Sequence, residues 1–404
     1  MSAVPGGDTH ALTGTREERP AGGGAPGAVH GRSHRALVRE PGGVRTRLRP
    51  TPVPGPGELL VATGVAGLCG TDLQMLRGLR DDPAPVIGHE GIARVVAAGA
   101  GAGLRPGTEV VVNPTHRTDP SFLLGHNVDG LLQERTLIPA TAVSGGLVVP
   151  LARIPDPVLG ALLEPLAAVR YALALLATGQ PRTLVVYGDG TVGRLAVRAA
   201  RRWLGSHVRT VLVHHTRDGL EWSARHRAHG ADVLLGGEGD KRMPLGEGPV
   251  AALIATPRDG TPAALDAALR LGARELTVDL FGGLPPDAVS PLLPGADLAR
   301  IRAANCAGHP RPYAFATATT TEGAHVRLTG HRGVGNEHLR DAAAELCRAP
   351  ETYRELVTHV VGLDEAARIM NQLAGSRERT VDGRRLIKLA VRVAPESPSP
   401  LENR

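Results

Sequence analysis

T-L-V-V-Y-G-D-G-T-V-G-R-L-A-V-R-A-A-R-R-W-L, residues 183 to 204, decides the fold of this chain. A short, continuously apolar and β-branched run reads as a strand buried on both faces. It leads through G-x-G-x-x-G into a segment whose apolar residues recur at helical spacing. In that context each glycine has a task. Gly188 permits the tight turn, Gly190 lets backbone approach a pyrophosphate, and Gly193 allows helix and strand to pack closely. Asp189, Thr191 and Val192 complete the loop. Phosphates would rest on the helix N-terminus, where free N–H groups and the helix dipole favour negative charge. The stretch predicts an α/β fold with a doubly wound parallel sheet, a Rossmann dinucleotide-binding domain.

Downstream, V-L-V-H-H-T-R (211 to 217) ends the next strand, where an NAD-binding domain places Asp or Glu on the ribose hydroxyls. Here stand His214, His215, Thr216 and Arg217, with Asp218 just beyond. An imidazole and a guanidinium, His215 and Arg217, suit a 2′-phosphate better than a carboxylate would, which favours NADP over NAD. Further strands read at 250 to 256 and 275 to 286, separated by a helical A-A-L-D-A-A-L-R-L-G. Residues 287 to 335 are Pro-rich and long enough to hold an insertion or an oligomer contact. A helix starts within 330 to 346, and the segments 353 to 370 and 385 to 391 close the ordered chain.

Upstream, Cys69 to Glu90 reads C-G-T-D-L-Q-M-L-R-G-L-R-D-D-P-A-P-V-I-G-H-E. Cys69, His89 and Glu90 offer a thiolate, an imidazole and a carboxylate, the donors that hold catalytic Zn²⁺ with one position open. Against this stands the ordinary use of a lone Cys as a small buried hydrophobe and of a lone His as a satisfied loop residue. Thr71, two residues past the Cys, could pass a proton from a bound alcohol toward the surface. G-L-C-G-T-D followed by V-I-G-H-E-G resembles the catalytic-zinc motifs of the medium-chain dehydrogenase/reductase superfamily, the zinc alcohol and polyol dehydrogenases.

That resemblance implies a GroES-like β-barrel catalytic domain over 34 to 160 and 332 to 393. A Rossmann cofactor domain over 161 to 331 would interrupt it, with the active site in the cleft between. The strand text of 88 to 114, alternating with Gly-containing turns, agrees with a small, partly open barrel. Many zinc members continue into a lobe with four cysteines around a structural zinc. This chain has no cysteine in 115 to 139, so one catalytic zinc is expected and no structural one. His116 and His126 there either line the cleft or are solvated loop residues.

In L-G-A-L-L-E-P-L-A-A-V-R-Y-A-L (159 to 173), a helical pattern interrupted by Pro165, Glu164 matches the E-P-L carboxylate of sorbitol and threonine dehydrogenases. A lone carboxylate on an apolar face needs a partner. Either Glu90 or Glu164 is then the direct ligand and the other stands behind it or binds a water. Phe281 and Gly282, in F-G-G-L-P, resemble the loop that receives the nicotinamide ring in polyol-type members.

The implied reaction is hydride transfer between NAD(P) and a small hydroxylated substrate, a secondary alcohol of polyol, sugar or cyclitol type, with a secondary-metabolic role in view. The catalytic residues would be Thr71, Glu90 and Glu164. A zinc-free quinone or enoyl reductase of the same fold, and a non-catalytic NADP(H)-binding sensor, are the rivals. A homo-oligomer, dimer or tetramer, is usual in the family.

With 404 residues the chain accommodates two domains. Its net charge of +6 resides almost wholly on scattered arginines, with Lys241 and Lys388 the only lysines, so the basic-patch criterion for nucleic acid fails. Aromatic residues are too few for a base-stacking platform. Three distant cysteines argue against a disulfide framework. No uninterrupted apolar run nears the roughly 18 to 20 residues of a membrane span. Nor does the N-terminus carry a signal-peptide core, and a cytoplasmic protein is expected. Residues 1 to 33 read as a disordered extension and 394 to 404 as a loose tail.

Overall fold

The computed structural model describes residues 32–226, 230–237, 245–376 and 378–393. The tail read at 394 to 404, and the extension up to residue 31, lie outside them. The first strand, Ser33–Glu40, reaches slightly further back than the A-L-V run suggests and pairs along its whole length with Gly43–Pro50.

One strand organises the first half of the molecule. Leu59–Gly67 pairs antiparallel with Glu90–Ala98 on one side, and on the other with Arg135–Ile138 and Lys388–Arg392 at its two ends. Its inward residues Leu59, Val61 and Ala66 pack with Val86, Val95, Val110, Ile138 and Leu389, none more than slightly exposed. Each such aliphatic side chain contributes about 1.5–3 kcal/mol on burial. Register here positions chemistry: Gly67 lies opposite Glu90 and opposite Ala390. Gly67 cannot carry a side chain, because a Cβ there would meet Lys388 Cε at 2.6 Å and Ala161 O at 2.8 Å.

The second half holds a seven-stranded sheet in the spatial order Val233–Gly236, Arg209–His214, Thr183–Tyr187, Val250–Ile254, Leu276–Asp279, His325–Thr329 and Ala316–Thr319. All neighbours are parallel except the last pair. The first six strands follow the doubly wound order 3-2-1-4-5-6, whose switch point lies between Thr183–Tyr187 and Val250–Ile254. Ligands bind outside the carboxyl ends of such strands. Leu184, Val186, Leu212 and Leu253 face the helices Leu163–Ala177, Thr191–Trp203 and Asn336–Arg348. Val185, Val211, Ile254 and Val278 face Leu265 and Leu298 on the opposite side.

Three local expectations change. Pro165 does not interrupt a helix: a 3₁₀ turn, Pro157–Leu162, precedes the α-helix Leu163–Ala177, and Pro165 falls in its first turn, where a missing N–H is harmless. Pro157–Ala177 is long and apolar enough to cross a membrane, but 78% of its most apolar window is buried inside the protein. Its hydropathy is that of a core helix clamped between sheet and Asn336–Arg348. Segment 287 to 335 contains helix Leu298–Arg302 and the antiparallel edge strand Ala316–Thr319, which its prolines conceal from period-based reading.

Candidate metal and cofactor site

Cys69 leaves the end of strand Leu59–Gly67 as the N-cap of the short helix Gly70–Leu76. The fully buried Asp72 carboxylate accepts the Cys69 N–H at 2.8 Å, which closes the first turn and fixes the thiol's direction. Glu90 opens the adjacent strand opposite Gly67, and His89 stands immediately before it. The ligand-type atoms of Cys69, His89 and Glu90 consequently all lie within 4.8 Å of one another. His89 is 8% and Glu90 3% exposed.

Behind this triad sits a residue that sequence reasoning missed. Lys388, 1% exposed, donates from Nζ to Leu68 O at 3.1 Å and forms an ion pair with Glu90 Oε2. A lysine within the apolar text R-L-I-K-L-A-V was the available signal. Asp72 was missed too, although it stands inside the quoted C-G-T-D motif. Glu164 is buried at the start of its helix, outside the close triad but near enough to feel it. Burial above all, with Glu90 and Asp72 adding, pushes its carboxyl up to about 7 against the opposing pull of His89 and Lys388. Burial likewise raises Asp72. Burial pulls the His89 imidazole down, but the sulfur of Cys69 together with Asp72 and Glu90 outweighs it and holds His89 above the ordinary histidine range.

The place is rich in acceptor and ligand atoms, and three of its buried polar atoms have no partner among the described residues. His89 Nδ1, Asp72 Oδ1 and Thr71 Oγ1 are buried without a hydrogen bond, and the 3.8 Å between the first two is too long for one. Leaving such groups unmet costs about 1–3 kcal/mol each. A divalent cation fits this donor set, and sulfur with imidazole suits zinc rather than magnesium or calcium. His126 stands beside the triad, its ring centroid 5.1 Å from that of His89, and its Nδ1 lies 3.1 Å from Asp82. His116 does not line the site. Its Nδ1 accepts the N–H groups of Thr118 and Asp119 at 3.2 and 2.9 Å and so shapes a turn.

In the G-x-G-x-x-G loop the glycines occupy positions that a side chain would strain or block, except at Gly190. Gly188 has φ of +109°, and a Cβ on Gly193 would fall 1.8 Å from Gly188 O. Gly190 caps helix Thr191–Trp203 and faces open space. Asp189 differs from expectation: its carboxylate is committed to Arg194 at 3.3 Å and Arg385 at 2.9 Å, with the His215 N–H at 3.4 Å. Thr191 Oγ1 donates to Ile387 O at 2.7 Å. The loop is thus tied to the residue preceding Lys388, and Val192 packs partly buried against the core. At the end of Arg209–His214, His214 is buried on Ser223, whereas His215 and Arg217 are exposed, with Arg217 paired to Glu221 at 2.9 Å. Phe281 meets the His331 ring edge-on at 5.3 Å, and a Cβ on Gly282 would strike Thr256 O at 2.6 Å.

Residues 55–147 match the alcohol dehydrogenase GroES-like domain. A glucose 1-dehydrogenase of Thermoproteus tenax is 30% identical over 193 residues, which cover 41% of this chain and 54% of that protein. The chain spans about half the length of the curated relatives it matches. Among solved structures, a candidate zinc-binding dehydrogenase of Sinorhizobium meliloti 1021 bound to NADP superposes with a TM-score of 0.66 at 23% identity, covering 89% of this chain and 99% of that one. An alcohol dehydrogenase of Thermotoga maritima gives 0.66 at 21%, covering 90% and 100%. At these identities the structures establish a shared fold.

Proposed function

We propose that this chain, which belongs to the zinc-type alcohol and polyol branch of the medium-chain dehydrogenase/reductase superfamily, transfers a hydride between a secondary alcohol and a nicotinamide dinucleotide. The observation that carries the reading is the meeting of Cys69, His89 and Glu90 ligand atoms within 4.8 Å. Ile387, the residue just before the strand that supplies Lys388 to this triad, accepts a hydrogen bond from Thr191 of the glycine loop.

Cys69 and His89 would hold one zinc ion, with Glu90 as third donor steadied by Lys388. When bound, the metal supplies Lewis acidity that makes an alcohol easier to deprotonate. Everything else falls to the chain. Thr71 offers an unengaged hydroxyl in the first turn beside Cys69, suited to take up and pass on the alcohol proton. Glu164, whose carboxyl is raised chiefly by burial, stands close enough to the triad to hold a proton beside it. Phe281 and Gly282 form one wall of the crevice for the nicotinamide. The Gly190 N–H end of the helix receives the pyrophosphate. The exposed His215 and Arg217, with no carboxylate taking the ribose position, favour NADP. A single zinc is the reading we adopt, since the described residues of 115–139 contain no cysteine. The relative named for glucose supports a polyol, sugar or cyclitol substrate, and a cytoplasmic homo-oligomer is the proposed setting.

The test is turnover. Zinc-loaded protein is mixed with NADP or NAD and a panel of polyols, aldoses and cyclitols, and nicotinamide absorbance is followed. Reduction of the cofactor that is lost in Cys69→Ala is expected. Cofactor binding without turnover of any alcohol or of the matching ketones would overturn the proposal.

A further inference from the structure

Unpaired positive charge gathers where the crevice meets the turn Phe281–Gly282–Gly283. Arg302 donates from Nε to Gly282 O at 2.6 Å and from Nη2 to Phe281 O at 3.4 Å. Arg258 packs on Gly283, its Nε 3.4 Å from where a Cβ would stand, and that Nε is buried without a hydrogen-bond partner. Arg332 is exposed at the end of the short strand His331–Arg332. Among the described residues none of these three guanidiniums enters an ion pair. The buried carboxylate beside them, Asp279, has neither oxygen hydrogen-bonded and lies 3.4 Å from His331 Nδ1. Burial lowers the proton affinity of Arg302, and repulsion from Arg332, Arg258 and Arg80 adds to it against the opposing effect of Asp279.

Arg80 links this group to the candidate metal centre. It grips Asp82 at 2.7 Å, Asp82 holds His126, and His126 lies against His89. Arg80 is also close enough to Arg302 for the two charges to repel, which relates the arginines at the turn to the wall of the metal site. The cofactor's own phosphates belong elsewhere, at Gly190 beside strand Thr183–Tyr187. That strand is two places from Leu276–Asp279 in the sheet, about 10 Å at 4.8 Å per step.

Three guanidiniums gathered around the single carboxylate of Asp279, two of them half-buried, leave an excess of positive charge that costs free energy unless something negative joins them. The planar fork of arginine matches an oxyanion with several lone pairs. We propose that the hydroxylated ligand of this pocket carries an oxyanion, a phosphate ester or a carboxylate, received by Arg258 and Arg332 while Arg302 holds the turn beneath it. The identification of the pocket as a substrate pocket rests on the hydride-transfer reading above.

The test is titration calorimetry on the full, zinc-loaded chain saturated with NADPH, using sorbitol 6-phosphate, gluconate and sorbitol as probes. Either charged probe should bind at least about tenfold more tightly than sorbitol, and the better of the two identifies the oxyanion. Arg258→Gln and Arg332→Gln should each weaken that probe about tenfold, leave NADPH affinity unchanged, and leave a smaller salt dependence. Equal affinity for all three probes would overturn the proposal. So would variants that weaken NADPH as much as the charged probe, because the arginines would then serve the cofactor. Following nicotinamide absorbance with the same probes separates the two readings. Arginine-dependent phosphate or gluconate binding without turnover supports the oxyanion site and defeats the dehydrogenase. Turnover of sorbitol with no preference for charge does the reverse.

Discussion

Replacing Lys388 by Met keeps the volume of the side chain and removes the charge that faces Glu90. Both partners are almost wholly buried, at 1% and 3% exposure, so water cannot take over from the ammonium. Breaking such a pair costs about 3–5 kcal/mol. With a urea dependence of about 2 kcal/mol per molar, the barrel transition should move down by about 2 M. The assay is urea unfolding of metal-stripped protein followed by circular dichroism, for the wild type, Lys388→Met, Glu90→Gln and the double variant. The double variant should recover most of the loss, because a neutral amide beside a thioether leaves no buried charge. A midpoint within about 0.3 M of wild type in Lys388→Met, or a double variant no better than the single, would refute the claim that this pair holds the back of the site.

Three further outcomes are expected. Cys69→Ala and His89→Ala should each reduce bound zinc, measured by elemental analysis after dialysis, from near one per chain to near none, while the Lys388 variant retains part of it. Arg217→Gln should raise the NADPH dissociation constant about five- to tenfold in a fluorescence titration and leave NADH nearly unaffected, since a guanidinium on a phosphate contributes about 1–1.5 kcal/mol near the surface. His338 is 2% exposed, stacks on Tyr171 at 4.4 Å, and is held down to about 4 chiefly by burial. It therefore stays neutral in the fold while the unfolded chain takes up a proton below about 6.5, so stability is lost as pH falls from there toward 4. Between pH 7 and 5 this amounts to about 2 kcal/mol in urea unfolding, and His338→Asn should remove that pH-dependent loss.

What the sequence discloses here is what is local. Gly188, Gly190 and Gly193 act within six residues of one another, on a strand and helix whose apolar patterning is continuous, so turn, approach and packing are all legible. Cys69, His89 and Glu90 are legible as donor types, but their meeting depends on Gly67 standing opposite Glu90, a register that no single strand states. Lys388 is 298 residues from Glu90, and a lysine in a strand reads equally as a solvated edge residue until the partner strand is known. Asp189 sits in the cofactor loop yet turns to Arg194 and Arg385, because a carboxylate beside two guanidiniums gains more there than at an anionic ligand. Pro165 misleads for a related reason: its meaning depends on where the helix starts, and the preceding 3₁₀ turn moves that start to Leu163. The arginines around Gly282 and Gly283 lie far apart in the chain, so their convergence emerges only once Leu276–Asp279 and His325–Thr329 are paired.

The central claim is a single sulfur-containing metal centre at Cys69. Zinc-edge X-ray absorption on the purified, zinc-loaded chain tests it most directly. The account predicts about one zinc per chain with one sulfur at about 2.3 Å and the remaining donors nitrogen or oxygen at about 2.0–2.2 Å. A protein that retains no zinc, or a shell with several sulfurs or none, would contradict it.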